Sequence, residues 1–220
     1  MLGTSICLWA GDVASFADLG FAQNSNIYLF GQYGVYENTL KPWADLSIVD
    51  VGANDFVSGG RFSYTHDEKI LPGQDGQGAL IKLISKNSQT VKQYKANFLQ
   101  QGIPLYISLK NGQNPNGEAI DFRDFDFGRY YTASLVPAVF GSGKNVRSSF
   151  YIIMNSTRPG GIKKTYRVGS PDIKRNGISS YTIKKVVVSE DRRSMIFVIE
   201  MTVLNGDGPD IRYMVEAVKL

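Results

Sequence analysis

The stretch Met195-Ile-Phe-Val-Ile-Glu-Met-Thr-Val-Leu204 is apolar on both faces of an extended chain. Successive side chains of a strand point to opposite faces, so the odd-numbered residues 195–203 share one face, and Ile196, Val198 and Leu204 share the other. Such a strand has to be covered on both sides, because either face would otherwise expose apolar surface to water. The sequence therefore predicts that it lies in the centre of a sheet.

Strand-like runs also occupy most of the remaining chain. The segments 178–189 and 211–220, on either side of the central stretch, are predicted strands. The other predicted strands span residues 27–36, 46–51, 55–64, 105–109, 119–127, 130–140 and 146–155. The 220 residues include 12 Phe, 12 Tyr and 23 Gly, which favours pleated sheet and tight turns over helix bundles. We predict a single β-rich domain over residues 11–220, with a mainly antiparallel, sandwich-like sheet.

One segment has a helical period instead of a strand-like one. Its apolar residues recur at helical spacing, and Gly102 follows as a stop signal. These apolar residues are Leu80, Ile84, Val91, Tyr94 and Phe98. We predict one long amphipathic helix over about residues 79–101, packed on the sheet through this face.

The first ten residues, Met1-Leu-Gly-Thr-Ser-Ile-Cys-Leu-Trp-Ala10, are uncharged and mostly apolar, and their character changes at Gly11-Asp12. This pattern favours the tail of a secretory signal peptide over residues 1–10, and hence an extracytoplasmic protein. The alternative is an apolar first strand of the domain.

Cysteine and histidine are too few for most metal sites. One Cys and one His exclude an intramolecular disulfide and a thiolate zinc site, so we predict no transition metal and no cofactor. Cys7 lies in the signal-like segment, and His66 lies next to a charged turn without a Gly-x-Ser-x-Gly motif. Neither residue indicates a catalytic nucleophile. No apolar run reaches the roughly 18 residues of a membrane-spanning helix, so none is predicted.

Carboxylates are the remaining candidates for catalysis. Paired acids for glycoside hydrolysis would come from Glu37, Glu118, Asp121 and Asp124. The acidic residues that alternate with phenylalanine in 121–127 are instead predicted to form a salt-bridged structural cluster with Arg123 and Arg129.

Charge is distributed unevenly along the chain. Residues 1–75 carry a net charge of −6, whereas residues 144–193 carry +9 with tyrosines interleaved. A basic, aromatic surface is typical of binding to an anionic partner, here a glycan, a lipid headgroup or an acidic protein, with nucleic acid the least favoured. The candidate ligand-binding residues are Lys163, Lys164, Arg167, Lys174, Arg175, Lys184 and Lys185. Because adjacent strand residues point to opposite faces, the doublets favour solvated or intramolecularly paired strand ends and turns over one continuous binding face.

Five stretches of the chain resemble an uncharacterised family of predicted secreted bacterial proteins that carry a domain of unknown function. The stretches are Gly11-Asp-Val-Ala-Ser-Phe-Ala-Asp-Leu-Gly-Phe21, Phe30-Gly-Gln-Tyr-Gly34, Ala44-Asp-Leu-Ser-Ile-Val-Asp-Val51, Ile120-Asp-Phe-Arg-Asp-Phe125 and Ser148-Ser-Phe-Tyr-Ile152. The resemblance implies export. It implies no activity and no functional residues.

Two further stretches, Phe21-Ala-Gln-Asn-Ser-Asn-Ile-Tyr-Leu-Phe30 and Val188-Ser-Glu-Asp-Arg-Arg-Ser-Met-Ile-Phe197, resemble the blade hairpins of TolB-type periplasmic β-propellers. Both lack the turn glycine of that motif. Two hairpins are fewer than the roughly four blades that close a propeller, so we interpret them as local turn chemistry.

Two functional hypotheses follow from these patterns. The first is a non-catalytic module of the cell envelope that binds or scaffolds an anionic partner. The alternative is an envelope glycan hydrolase that uses paired carboxylates. The absence of a catalytic residue set from the sequence favours the first.

Overall fold

The computed structural model describes residues 11–22, 24–71, 73–109, 117–205 and 208–220. They form three antiparallel sheets and two short α-helices. The predicted signal-peptide segment, including Cys7, lies outside the described residues. Within the described ranges, no helix has both the length and the hydropathy needed to cross a membrane.

The central sheet contains the doubly apolar stretch. Its strands are β5 (Ile103–Ile107), β11 (Ile178–Val188), β12 (Ser194–Asn205) and β13 (Gly208–Lys219). They are ordered β13-β12-β11-β5, so β12 has a strand on either side, as predicted. Phe197 and Ile196 are both fully buried, and they belong to two different cores on opposite faces of the sheet.

The helix-side sheet covers one of these faces. Its strands, in sheet order, are β1 (Ser15–Phe21), β2 (Ile27–Tyr36), β3 (Lys41–Asp50) and β4 (Asp55–Thr65). Tyr28 and Phe30 of β2 share a core with Val187 and Val198 of the central sheet. The alternating residues of the same strands, such as Leu29, point the other way and pack against the helices.

The solvent-side sheet covers the opposite face of the central sheet. Its strands are β6 (Glu118–Asp124), β7 (Arg129–Phe140), β8 (Arg147–Thr157), β9 (Lys163–Val168) and the short β10 (Arg175–Asn176). They are ordered β10-β8-β7-β6, and β9 also pairs with β8. Phe150, Ile152 and Met154 of β8 pack inward against the central sheet. The outer face of this sheet is open to solvent.

The predicted strands do not include β9 and β10, which lie in the basic segment. Thr165 and Arg167 of β9 are exposed, whereas Tyr166 and Val168 are buried. This alternation is that of a half-buried strand. The charged doublet Lys163-Lys164 in front of it conceals the period in the sequence.

The prediction of one long helix over residues 79–101 is wrong. The segment forms α1 (Gln77–Lys86) and α2 (Ser88–Gln93), separated at Asn87. Asn87 leaves helical geometry, and its side-chain amide donates to the Leu83 carbonyl oxygen, which competes with the regular backbone pattern. After α2 the backbone of Lys95 has a positive φ of 53°, and Ala96 forms a bridge with Ala22.

Most of the predicted apolar helix face packs on the helix-side sheet all the same. Leu80 and Val91 are buried, and Ile84 and Tyr94 pack beside them. Phe98, beyond the second helix, is exposed instead. α1 crosses β2 so closely at Gly31 that a Cβ there would lie 2.7 Å from the Leu80 side chain.

The two stretches that resemble propeller blades are ordinary antiparallel hairpins. The first joins β1 to β2 and the second joins β11 to β12. They belong to different sheets of a layered structure, which supports their interpretation as local turn chemistry.

We expect Phe197→Ala to lower the free energy of unfolding by about 3–5 kcal/mol, because it leaves a cavity beneath the solvent-side sheet. The matched control is Phe125→Ala, since Phe125 is 81% exposed. It should change stability by less than about 0.5 kcal/mol. Urea unfolding of both variants measures the difference. Equal losses would contradict the central position of β12.

Candidate functional site

A cleft of about 600 Å³ opens beside the edge strand of the central sheet. β13 forms its floor, β3 and β4 form one wall, and the segment around Ile173 and Arg175 forms another. The apolar lining residues are Phe30, Val49, Phe56, Phe62, Ile173, Ile178, Met201, Val203, Met214 and Val215. A mostly apolar cleft of this volume has the dimensions of a small-molecule site, which are roughly 300–1,000 Å³.

Side-chain amides close much of the outer edge of β13. On an edge strand, alternate residues direct their backbone N–H and C=O groups away from the sheet. Gln32 Oε1 accepts a hydrogen bond from the Tyr213 N–H at 2.8 Å, and Asn54 Oδ1 accepts one from the Ala217 N–H. The amides of these two side chains thus take the place of a neighbouring strand.

Val215 lies midway between the two capped positions. The pairing of β13 with β12 is regular, so the Val215 N–H and C=O point outward, toward the cleft that this residue lines. No described residue supplies a hydrogen-bond partner to these two groups. The Val215 side chain itself is buried in the core between the helix-side sheet and the central sheet, so only the backbone of this residue is offered to the cleft. The cleft floor therefore presents a backbone donor and acceptor to whatever occupies it.

Glu216 is the most buried carboxylate of the cleft. Arg175 Nη2 lies 3.3 Å from Glu216 Oε1, and Asn54 Nδ2 donates to Oε2. Burial raises the pKa of Glu216, and the hydrogen bond from Asn54 and the charge of Arg175 oppose this rise only in part. Burial also raises the pKa of Tyr213, and the nearby carboxylate of Glu200, which accepts the Tyr213 hydroxyl at 3.0 Å, adds to the rise.

Three guanidinium groups line the cleft, and they differ in their partners. Arg175 pairs with Glu216, and Arg212 pairs with Asp210 at 3.1 Å. Arg61 lies over the Phe56 ring, 4.8 Å from its centroid, and forms no ion pair with a described carboxylate. Arg61 is therefore the cleft guanidinium best placed to meet an anionic group.

The structure disperses the seven basic residues predicted to bind an anionic partner. Arg175, Lys184 and Lys185 form ion pairs with Glu216, Glu200 and Asp18, at 3.3, 3.5 and 2.8 Å respectively. Lys174 Nζ donates to Ser149 Oγ and to the Pro171 carbonyl oxygen. Lys163, Lys164 and Arg167 are exposed on β9, where Lys163 and Arg167 lie on the outer face and Lys164 Nζ lies over the Tyr166 ring, 4.3 Å from its centroid. Of the seven, Arg175 lines the cleft.

The four candidate catalytic carboxylates are not brought together either. Glu37 is exposed in the turn between β2 and β3. On β6, Glu118 accepts a hydrogen bond from the Ile183 N–H at 2.9 Å, and Asp121 is exposed on the outer face of the sheet. Asp124 is buried. None of the four lines the cleft.

Asp124 and Asp126 form the salt-bridged cluster that the sequence predicts, but with a different partner. Arg192 Nε donates to Asp124 Oδ2 and Arg192 Nη2 donates to Asp126 Oδ2, both at 2.8 Å. Arg192 comes from the turn between β11 and β12, far away in sequence. The predicted partners Arg123 and Arg129 lie instead near the Phe125 and Phe127 rings.

The remaining candidates for chemistry are His66 and groups of metal-ligating side chains. Nδ1 of His66 lies 3.1 Å from the Tyr64 hydroxyl at the end of β4. Across the ranges that the structure describes, His, Cys, Asp and Glu form no group of three or more that could hold a metal ion.

Sequence reasoning missed the cleft residues. Gln32, Asn54, Arg61 and Val215 come from four separate segments, and they meet only because the helix-side sheet lies over the edge of the central sheet. Each is ordinary in its local sequence, so no signal short of the sheet order could have found them.

Comparison with known proteins places the chain in a family without an assigned activity. The model of a family described as "Predicted secreted protein (DUF2259)" matches residues 29–219. This match confirms the resemblance stated from the sequence and, with it, the expected extracytoplasmic location. Neither the curated proteins nor the solved structures contain a match.

We expect Glu216 to make stability depend on pH. Its pKa is raised in the folded protein, so above the ordinary value of 4.5 the folded state binds more protons than the unfolded state. The free energy of unfolding then falls as pH rises toward the raised pKa. Glu216→Gln removes this contribution, so urea unfolding between pH 4.5 and neutral pH should show a smaller fall than in wild type.

The control for this measurement is Glu37→Gln, which changes an exposed glutamate. Its profile should follow that of wild type. A Glu216→Gln profile that also follows wild type would contradict the raised pKa of Glu216.

Proposed function

The chain belongs to the DUF2259 family of predicted secreted proteins, and on that premise we propose that it is a non-catalytic extracytoplasmic binding module whose ligand enters the cleft beside β13. The observation that carries this proposal is the convergence in one cleft of apolar walls, the Val215 backbone groups and the Arg61 guanidinium. Binding, rather than catalysis, is supported because the three cleft carboxylates have structural partners: Glu216 pairs with Arg175, Asp45 accepts a hydrogen bond from Gln32 Nε2, and Asp55 accepts one from the Phe56 N–H.

The lining indicates the class of ligand. The apolar walls favour a hydrophobic body, and Arg61 favours an anionic end group, since a guanidinium binds carboxylate and phosphate oxygens through directed hydrogen bonds. The Val215 N–H adds a hydrogen-bond donor at the floor. An amphipathic anion satisfies all three features.

The alternative proposal, a glycan hydrolase, has less support. Glycosidases hold two carboxyl groups on either side of the scissile bond, roughly 5–9.5 Å apart. Asp121 and Asp124 are three residues apart on one strand, so their side chains lie on opposite faces of the sheet.

A second contact surface is supported on β9. Lys163, Lys164 and Arg167 are exposed there and form no ion pair with a described carboxylate. They retain the predicted role of meeting an anionic partner. Arg175, Lys184 and Lys185 are less suited to it, because their charges are already compensated.

We expect octanoate, a simple amphipathic anion, to raise the melting temperature of the protein as its concentration rises, because a ligand that binds only the folded state stabilises it. In Arg61→Gln the apparent affinity should fall about tenfold or more, as a hydrogen bond to a charged group contributes about 1.5–3 kcal/mol. Thermal-shift titration measures both effects.

Arg193→Gln is the matched control, because Arg193 is exposed outside the cleft. It should bind octanoate as wild type does. A wild-type melting temperature that octanoate leaves unchanged, or equal affinity in Arg61→Gln, would count against the cleft as the site for an anionic amphiphile.

For the β9 surface, we expect wild-type protein to be retained on a heparin column at low salt, and Lys163→Glu/Lys164→Glu to elute earlier. Electrostatic binding is screened over about 8 Å at physiological ionic strength, so retention should fall steeply as salt rises. Lys92→Glu/Lys95→Glu has the same net charge change on the exposed helical side and should elute near wild type. Identical elution of the two double variants would contradict a role for β9.

A further inference from the structure

One end of the solvent-side sheet exposes a group of large apolar side chains. The turn between β6 and β7, residues 125–128, carries Phe125 and Phe127, which are 81% and 51% exposed. Ile162, in the loop between β8 and β9, is 66% exposed. Pro159 of that loop lies beside Gly128 of the turn, so the two segments form one surface. We call it the aromatic end of the sheet.

The phenylalanines are held outward by a built support. Asp124 Oδ1 accepts hydrogen bonds from the backbone N–H groups of Asp126 and Phe127, at 3.2 and 3.3 Å. Its Oδ2 accepts the buried Arg192 Nε, and Arg192 also holds Asp126. A buried, hydrogen-bonded ion pair fixes the turn in a single geometry, so the exposure of its rings is not the result of a loose loop.

Basic side chains surround the apolar ones. The strand register places Arg123, Tyr130, Thr157 and Lys163 in one row across β6, β7, β8 and β9, on the outer face of the sheet. Arg129 and Arg158 lie next to this row in sequence, at the same end. Neither they nor Arg123 and Lys163 form an ion pair with a described carboxylate. The exposed acid of the turn, Asp126, is already paired with Arg192.

We propose that the aromatic end docks the protein on an anionic lipid surface, with Phe125, Phe127 and Ile162 entering the interface and the surrounding cations meeting the headgroups. Protruding apolar residues combined with basic side chains are what interfacial binding requires, because apolar burial and attraction to anionic headgroups add. Exposed rings on a turn can enter the deformable surface of a bilayer without a shaped pocket, whereas a folded protein partner would need a matching acidic groove. This inference rests on the part of the proposed function that assigns an anionic partner to β9.

The test is cosedimentation of the full chain with vesicles that contain phosphatidylglycerol, across a salt series, with neutral phosphatidylcholine vesicles in parallel. Wild type should bind the anionic vesicles and lose binding as salt rises. Phe125→Ser/Phe127→Ser should bind at least about tenfold more weakly, because two aromatic side chains no longer leave water. Arg123→Glu/Lys163→Glu should bind at least about thirtyfold more weakly, because two cations near an anionic surface are removed and each contributes about 1 kcal/mol.

Matched controls lie at the other end of the same sheet. Phe140 is exposed at the end of β7, and Arg147 is its cross-strand neighbour on β8. Phe140→Ser and Arg147→Glu should bind vesicles as wild type does. Thermal unfolding of every variant checks that the fold is retained.

Heparin retention distinguishes the lipid inference from the proposed function on which it rests, the binding of an anionic partner by β9. Phe125→Ser/Phe127→Ser should be retained on heparin as wild type is, since a soluble polyanion needs the charges and not the rings. Wild-type protein that is retained on heparin but does not bind the anionic vesicles would overturn the lipid inference and leave the anionic partner in place. Wild-type protein that binds neither would overturn both. Equal binding of neutral and anionic vesicles, or a wild-type dimer that the phenylalanine variant abolishes, would also overturn docking on anionic lipid.

Discussion

The burial of β12 on both faces is the constraint on which the rest of the structure depends. Residues 195–199 alternate between two cores, and each core needs its own covering sheet. The helix-side sheet meets this need on one face and the solvent-side sheet on the other. The helix-side sheet is itself apolar on both faces, so the helices cover its outer side. The outer face of the solvent-side sheet carries enough polar residues to be exposed to water, so among the described residues no further layer covers it.

This constraint also explains which features the sequence predicts well. Long apolar runs such as residues 195–204 predict a strand and its central position, because both faces carry the signal. The boundary at Asn87 is harder to predict, since Leu80 to Phe98 keeps a helical period across it and the bond from the Asn87 side chain to the Leu83 carbonyl is seen only in the structure. The strand period of β9 is hard to recognise in the sequence, because the charged doublet Lys163-Lys164 stands in front of it. The cleft depends on which strand ends up at the sheet edge, and no local pattern encodes that order.

The uneven distribution of charge along the sequence corresponds to ion pairs between the layers of the structure. Two aspartates of the acidic first third form ion pairs with the central sheet: Asp18 with Lys185, and Asp12 with Arg212. Both pairs join the helix-side region to the central sheet. Arg192 with Asp124 joins the central sheet to the solvent-side sheet. The net charges of distant segments therefore compensate one another between layers. Exposed cations that form no ion pair with a described carboxylate remain on the outer face of the solvent-side sheet, such as Lys163, and on the helical segment, such as Lys92.

The two candidate surfaces lie at the borders of two different sheets. The cleft lies at the edge of the central sheet, and the aromatic end lies at one end of the solvent-side sheet. At the edge of β13 the helix-side sheet cannot continue the ladder, so Gln32 and Asn54 cap individual backbone groups and leave those of Val215 open. At the aromatic end a turn leaves the solvent-side sheet, and the Arg192 pair fixes it while its rings stay in water. Exposed aromatic rings and the open backbone groups of a sheet edge are both features that a ligand or a partner surface can cover, and the fold places them at two separate ends of its layers.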